Sequence, residues 1–431
     1  MEKPLSILIC FMISISVLSA QERKTSKKIL IHEAIKLETD HIFNKLVEIR
    51  RDLHENPELA GHEVRTQKII KQHLLDLGLE VETNIYGYGI VGILKGGKKG
   101  KNIVWRAELD ALPAEESGQV IFKSRKAGIW HGCGHDIHLA IALGMAEVLA
   151  KNKESLNGTI YFIFQPEEET FMGAKGMIDN GLLSKISPDE IYGLHVSALP
   201  VGQIMVRPNE MFAYQKRIRI KLKNELPIEN AKELTKKIYS FLCRASTGSK
   251  PWELQAIVDP KIGLMQPNTI FKDYLIMDQN FTTYSKNGQL FLEAYLYETN
   301  SANLKDIIPK IKHIIEDSEY KDQLLSVSFI QENPTVINDE RLTGIAMKTF
   351  EKIYGKDLAI SDYGQVPYFN DDFAYFQQKI PGVFFFLGGS DFEKGIIAMN
   401  HTPNFEVDEE SIRVGVRSFS SLMVERLNRN L

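Results

Sequence analysis

WHGCGHDIH, residues 130–138, packs three histidines, a cysteine and an aspartate into nine positions and runs straight into LAIALGMAEVLA, residues 139–150. The second run has helical apolar spacing, so the ligand-rich segment sits at the mouth of a helix. Cys133 and His135 flank Gly134, which lets the backbone bend both side chains toward one point. A thiolate and an imidazole that converge are typical ligands for zinc or another borderline divalent metal.

Upstream, residues 37–78 read as helical with a break at Asn56-Pro57, and Leu46, Ile49 and Leu53 keep one apolar face. Strand-like runs follow at Ile90 (IVGILKG), Asn102 (NIVWRAELD), 158–166 (GTIYFIFQP) and 190–196 (EIYGLHV), separated by helical stretches. This alternation predicts an α/β layer, a mixed sheet with helices on both faces. From Ala213 the character changes to strand, helix, two strands, helix, the pattern of a small α+β sandwich. We therefore expect a first domain over 21–212 that resumes over 327–431, with a second domain inserted over 213–326. The resumed part carries a helix at 340–354, a strand at 379–389 and a last helix from Asp408.

A length of 431 residues favours two domains, and 43% hydrophobic content with a net charge of −4 is ordinary for a globular chain. No basic stretch points to nucleic acid. Leu5–Leu18 is an unbroken apolar and hydroxyl run that ends in Ser19-Ala20, so residues 1–20 have the shape of a cleaved secretory signal. That implies a secreted or periplasmic protein free of the membrane after cleavage; the competing reading is a membrane anchor, for which the run is short. Cleavage leaves Cys133 and Cys243, and no structural disulfide is expected, because a bridge would remove the Cys133 ligand.

Four further elements share the carboxyl ends of the expected strands. Asp110 ends one strand, Glu167-Glu168-Glu169 follow another, His195 closes a third, and His401 in NHTPNF follows the Phe-rich strand by a loop. Ligands of open α/β sheets bind at those ends. Adjacent carboxylates suit metal-assisted hydrolysis: one holds a metal while its neighbour takes a proton from the attacking water and passes it to the leaving amine. Asp110 reads as a carboxylate that orients a ligand from behind. His54 and His62 read as structural.

Seven segments, RRDLHENPEL (50–59), RAELDALP (106–113), HGCGHDIH (131–138), FQPEEE (164–169), GLHV (193–196), NDDFAYF (370–376) and NHTPNFEVDEE (400–410), occur in the order of one family. The chain resembles the dinuclear metal amidohydrolases that include hippurate hydrolase, auxin-conjugate hydrolases and N-acyl-amino-acid deacylases, relatives of aminoacylase and carboxypeptidase. The resemblance implies a zinc-exopeptidase-like domain with an inserted lid that forms a homodimer contact. It implies two divalent ions, zinc or manganese with cobalt or nickel as alternatives. By the same resemblance Cys133, His135, Glu169, His195 and His401 are metal ligands and Glu168 is the general base. The implied substrate is a small amide such as an N-acyl amino acid, with short peptides as the runner-up.

The chain departs from that pattern in places. The family's lid carries a Gly-Gly-His segment after its first strand, where this sequence has KLKNELPIENAKEL (221–234), and the only histidine over 213–326 is His313. Asn224, Asn268 and a nearby lysine are the candidate stand-ins, and a relative that binds without efficient turnover is the alternative. Glu108 replaces an aspartate in RAELD, and Asp371 replaces a glutamate.

Overall fold

The computed structural model describes residues 5–118, 120–223, 227–245 and 249–428, with 5–29, 228 and 254 described by backbone only. An eight-stranded mixed sheet forms the centre. Its strands lie in the order Glu80–Thr83, Ile90–Lys95, Asn157–Gln165, Lys98–Glu108, Glu190–Pro200, Gly382–Ser390, Ile204–Val206 and Ala359–Ser361. The four from Asn157–Gln165 to Gly382–Ser390 pair in parallel, so their carboxyl ends open on one side. These strands are buried on both faces over 103–108, 162–165, 190–196 and Gly382–Ser390.

One face is covered by the helices Leu5–Glu55, His135–Lys151 and Glu410–Asn428, which pack on one another and share a core with Trp105, Phe385 and Phe419. The other is covered by Gly173–Asp179, Leu182–Ile186 and Phe373–Gln377, around Met177, Phe373 and Phe384. His135–Lys151 is the central helix, buried from His135 through Leu149. Close packing requires glycine within it: a Cβ on Gly144 would sit 2.6 Å from both Leu46 and Val416.

A second, five-stranded sheet runs Thr282–Lys286, Gln289–Glu298, Tyr214–Lys223 and Leu324–Gln331, with Leu275–Met277 also paired to Gln289–Glu298. Two amphipathic helices, Ile228–Leu242 and Leu304–Glu316, cover one face of it through Ile238, Ile311 and Ile315. The expected boundary at 326 needs correction, because it falls inside the strand Leu324–Gln331, which pairs with Tyr214–Lys223. That strand is an edge with one fully buried position, Val327, and Leu325, Val327 and Phe329 alternate with serines along it. The expected leader over 1–20 falls on residues that are undescribed or described by backbone only. Among the described residues no helix is long and apolar enough to cross a membrane.

The last helix is pinned to the sheet by a buried charge group. Arg426 Nε donates to Glu190 Oε2 at 2.8 Å, and Lys101 Nζ donates to Glu190 Oε1 at 2.7 Å. Burial opposes ionisation of Glu190, but Arg426 and Lys101 hold its pKa down at about 2, against an ordinary 4.5. A depressed carboxylate pKa adds stability that is full above the unfolded value and is lost as pH falls through it. Glu190→Gln should therefore lower unfolding free energy near neutral pH by about 3 kcal/mol. In urea titrations the gap between wild type and variant should shrink as pH falls from about 4.5 toward 2.

Candidate metal centre and its cleft

Gly134 has φ of 91°, and a Cβ there would lie 2.4 Å from Val196 Cγ1. Only glycine lets the chain turn at this point and enter the helix against the His195 strand, which is how Cys133 and His135 come to face one spot. His195 lies inside its strand rather than closing it, since the strand runs on to Pro200. Pairing with Lys98–Glu108 stops at Gly193, so that flank of His195 is free to face the cleft. The loop that bears His401 is tied down by His401 N–H to Gly132 O at 3.0 Å and Asn400 Nδ2 to Cys133 O at 2.9 Å.

The structure brings all seven expected residues together. Cys133 Sγ lies 3.2 Å from His195 Nε2 and 3.1 Å from His401 Nε2. Glu169 Oε1 lies 3.5 Å from His401 Nε2 and 4.0 Å from His135 Nε2, and Glu168 Oε2 lies 3.8 Å from His135 Nε2. Three overlapping groups can each hold a cation: Cys133, His135 and His195; Cys133, Glu169 and His401; and His135, Glu168 and Glu169. The Cys133 sulfur is common to the first two. His401 is the outermost member, its side chain 54% exposed.

Asp110 works through two different atoms. Its carboxylate accepts the backbone N–H of Glu168 at 3.1 Å and of Glu169 at 2.9 Å, which fixes the turn that presents both glutamates. Its carbonyl, not its carboxylate, receives His135 Nδ1–H at 2.8 Å. A carbonyl only accepts, so the proton sits on Nδ1 and His135 Nε2 is left as a lone pair. His195 Nδ1–H likewise donates to the Val196 carbonyl at 2.8 Å, which leaves its Nε2 facing Cys133.

This arrangement fits divalent cations. His135 Nε2 and Glu169 Oε1 are buried without a hydrogen-bond partner, which is costly unless something positive meets them. Burial, with the Glu169 carboxylate adding to it, pushes the Cys133 thiol well above its ordinary range. Burial and then the Asp371 carboxylate push Glu168 well above the carboxylate range, and burial with Glu169 does the same to Asp110. Burial also works against ionisation of Glu169, but the nearby His401 and His135 imidazoles hold it below the ordinary value. Burial keeps His135 and His195 neutral, as ligands must be.

Sequence reasoning missed the layer behind these residues. His138 Nε2 accepts the Val196 N–H at 2.9 Å, and its Nδ1–H donates to Glu108 at 2.8 Å. Glu108 also meets Arg106, whose guanidinium reaches Asp372 at 2.7 Å and Asp371 at 3.1 Å. Burial, against the pull of Arg106, pushes Asp371 up to about 6 and Asp372 to about 7. His54, expected to be structural, is buried and bonded through Nδ1 to Asp136 at 2.8 Å, and Arg50 pairs with the same oxygen. The spacing of His135 and His138, three apart on one helix, is the signal that could have found the first of these.

A cleft of about 540 Å³ opens over the group, with Phe171, Tyr368 and Phe369 among its apolar walls. The lid sheet contributes Gln215, Tyr295 and Gln331 from its open face. Of the proposed stand-ins for the lid histidine, Asn224 lies outside the described residues, and Asn268 does not line the cleft. Non-glycine residues with left-handed backbone gather here: Glu167, Phe171, Tyr368 and His401 have φ of 56°, 58°, 61° and 60°. Such strain costs on the order of 1–3 kcal/mol per residue and clusters at working sites.

A set of thiol, imidazole and carboxylate groups under an apolar cleft is the donor chemistry of a metal-dependent hydrolase. The chain matches Peptidase family M20/M25/M40 over residues 104–425, more than half its length, and belongs to that family. It is similar to the thermostable carboxypeptidase 2 of Saccharolobus solfataricus, 31% identical over 92% of this chain and 99% of that protein. It is similar to the IAA-amino acid hydrolase ILR1-like 4 of Arabidopsis thaliana, 30% identical over 89% of this chain and 86% of that one. Among solved structures it resembles the Bacillus subtilis YXEP protein, a dinuclear metal binding peptidase of the M20 family. That similarity has a TM-score of 0.72 at 27% identity and covers 90% of this chain and 99% of that one.

Cys133→Ala removes the sulfur common to the two groups that also hold His195 and His401. Metal analysis after dialysis against zinc or manganese should show it losing most bound metal, while circular dichroism shows the fold retained.

Proposed function

We propose that the chain is an exported amidohydrolase that cleaves the amide bond of an N-acyl amino acid or a similar small amide, with Glu168 as general base. The observation that carries this is the place of Glu168. Its carboxylate is buried beside His135 Nε2, next in sequence to Glu169, and kept ready to accept a proton by burial and the Asp371 charge. Cys133, His135, Glu169, His195 and His401 would hold two divalent ions, zinc or manganese, which when bound polarise the scissile carbonyl and acidify the attacking water.

Glu168 takes the proton of that water at its free oxygen and returns it to the leaving nitrogen. Asp110 keeps Glu168 in place through its amide N–H, so the carboxylate itself stays free. Tyr368 and Phe369 shield the reacting atoms from bulk solvent. Gln215, Tyr295 and Gln331 stand where the lid meets the cleft and offer neutral donors in place of a lid histidine. Export is supported by the apolar run Leu5–Leu18, and a lid-mediated homodimer by the fully exposed edge strand Thr282–Lys286.

A second reading, a carboxypeptidase of short peptides, is favoured by the similarity to the Saccharolobus carboxypeptidase. Both readings require the same carbonyl attack. Metal-loaded protein assayed on N-acetyl and N-benzoyl amino acids and on dipeptides should turn over the acyl amino acids faster. Glu168→Gln should lower kcat by about 10²–10⁴-fold with metal content unchanged. Equal turnover by Glu168→Gln would remove the base assignment, and faster dipeptide cleavage would favour the second reading.

A further inference from the structure

A small chamber of about 60 Å³ opens off the metal cleft and shares Ile257, Val366, Phe369, Met399 and Asn400 with it. Beyond that common wall it is closed by Leu199, Met205, Val258, Leu264 and Phe386. Its position ties it to the chemistry. Ser197, on its rim, is two residues along the strand from His195 and on the same face, about 7 Å away by strand rise. Asn400 on the shared wall precedes His401. The chamber therefore lies beside the residues to which the amidohydrolase reading assigns the chemistry.

We propose that the chamber selects substrates that carry an uncharged aliphatic group of about four carbons next to the scissile amide. The inference rests on the amidohydrolase reading above. Charge is excluded because no ionisable side chain lines the chamber, and burying an ion without a partner is prohibitive. Its polar fittings are slight: Asn400 Nδ2 is already committed to the Cys133 carbonyl, and Ser197 Oγ is buried without a partner. Size follows from the volume. At roughly 10–15 Å³ per water-sized group, the chamber holds about four to six such groups, an isobutyl and not an indole. The isobutyl group can come from either side of the amide, from the acyl chain or from the amino acid.

Two substrate series separate those sources. The first is N-acetyl derivatives of glycine, alanine, leucine, tryptophan, aspartate and lysine; the second is acetyl-, butanoyl-, 3-methylbutanoyl- and benzoylglycine. One series should peak at its isobutyl member, with kcat/KM at least 10-fold above the glycine or acetyl member, as hydrophobic pockets discriminate. Ala198→Leu, which fills the chamber from its half-buried rim, should reduce that ratio at least 10-fold. Leu264→Ala should move the optimum to the larger aromatic member. A flat profile, or an optimum at a charged group, would overturn the inference while Glu168-dependent turnover kept the amidohydrolase reading standing.

A binding measurement tests the chamber even if no amide is turned over. On metal-loaded Glu168→Gln protein, N-acetylleucine is compared with N-acetylglycine for the amino-acid side, and 3-methylbutanohydroxamate with acetohydroxamate for the acyl side. One pair should differ at least 10-fold in Kd, and Ala198→Leu should close the gap. Equal affinities within both pairs would overturn the inference.

Discussion

The site depends on one electrostatic constraint: the Cys133 sulfur, two glutamates and Asp110 are gathered at the carboxyl ends of buried parallel strands with too little positive charge of their own. Arg106 is close, but its guanidinium is spent on Glu108, Asp371 and Asp372. Burial therefore drives the thiol and two of the carboxyls toward their protonated forms. Divalent cations reverse that balance, since a coordinated thiol is held deprotonated and a coordinated carboxylate no longer repels its neighbours. The same crowding of buried acids makes the arrangement selective for cations.

The surrounding fold reads as the means of holding that arrangement. The Asp110 carboxylate fixes the glutamate turn, and its carbonyl fixes the His135 tautomer. His138 joins the central helix to the His195 strand through the Val196 N–H. On the far side of the same helix mouth, Asp136 is clamped by His54 and Arg50 from the long first helix. Asp110 thus braces His135 and the glutamate turn, while His195 is held by the Val196 carbonyl of its own strand. The central helix, sealed on all sides by apolar side chains, cannot shift without moving several of them.

Much of this was legible in the sequence because the ligand-type residues interrupt apolar strands, where they have no other reason to be. The positions of Cys133, Glu169 and His195 at the ends or flanks of buried runs carry that signal. The lid was less legible. Gln215, Tyr295 and Gln331 are ordinary occupants of half-exposed strands, and only the pairing register brings them to one face above the cleft. The strand Leu324–Gln331 carries a short alternation of Leu325, Val327 and Phe329 with serines, which the boundary at 326 cut in two. Strands of three residues, such as Ile204–Val206 and Ala359–Ser361, are too short to show a period at all. The structural reading of His54 agrees with its buried bond to Asp136, but the partner was not legible because it lies far away in sequence and no local spacing links the two.

The central claim is that Cys133 stands between two cation sites. Anomalous diffraction from crystals soaked in manganese or zinc tests it most directly. The account expects two anomalous peaks, one toward His135 and His195 and the other toward Glu169 and His401, both within bonding distance of the Cys133 sulfur. A single peak, or peaks that leave Cys133 without a metal neighbour, would contradict it.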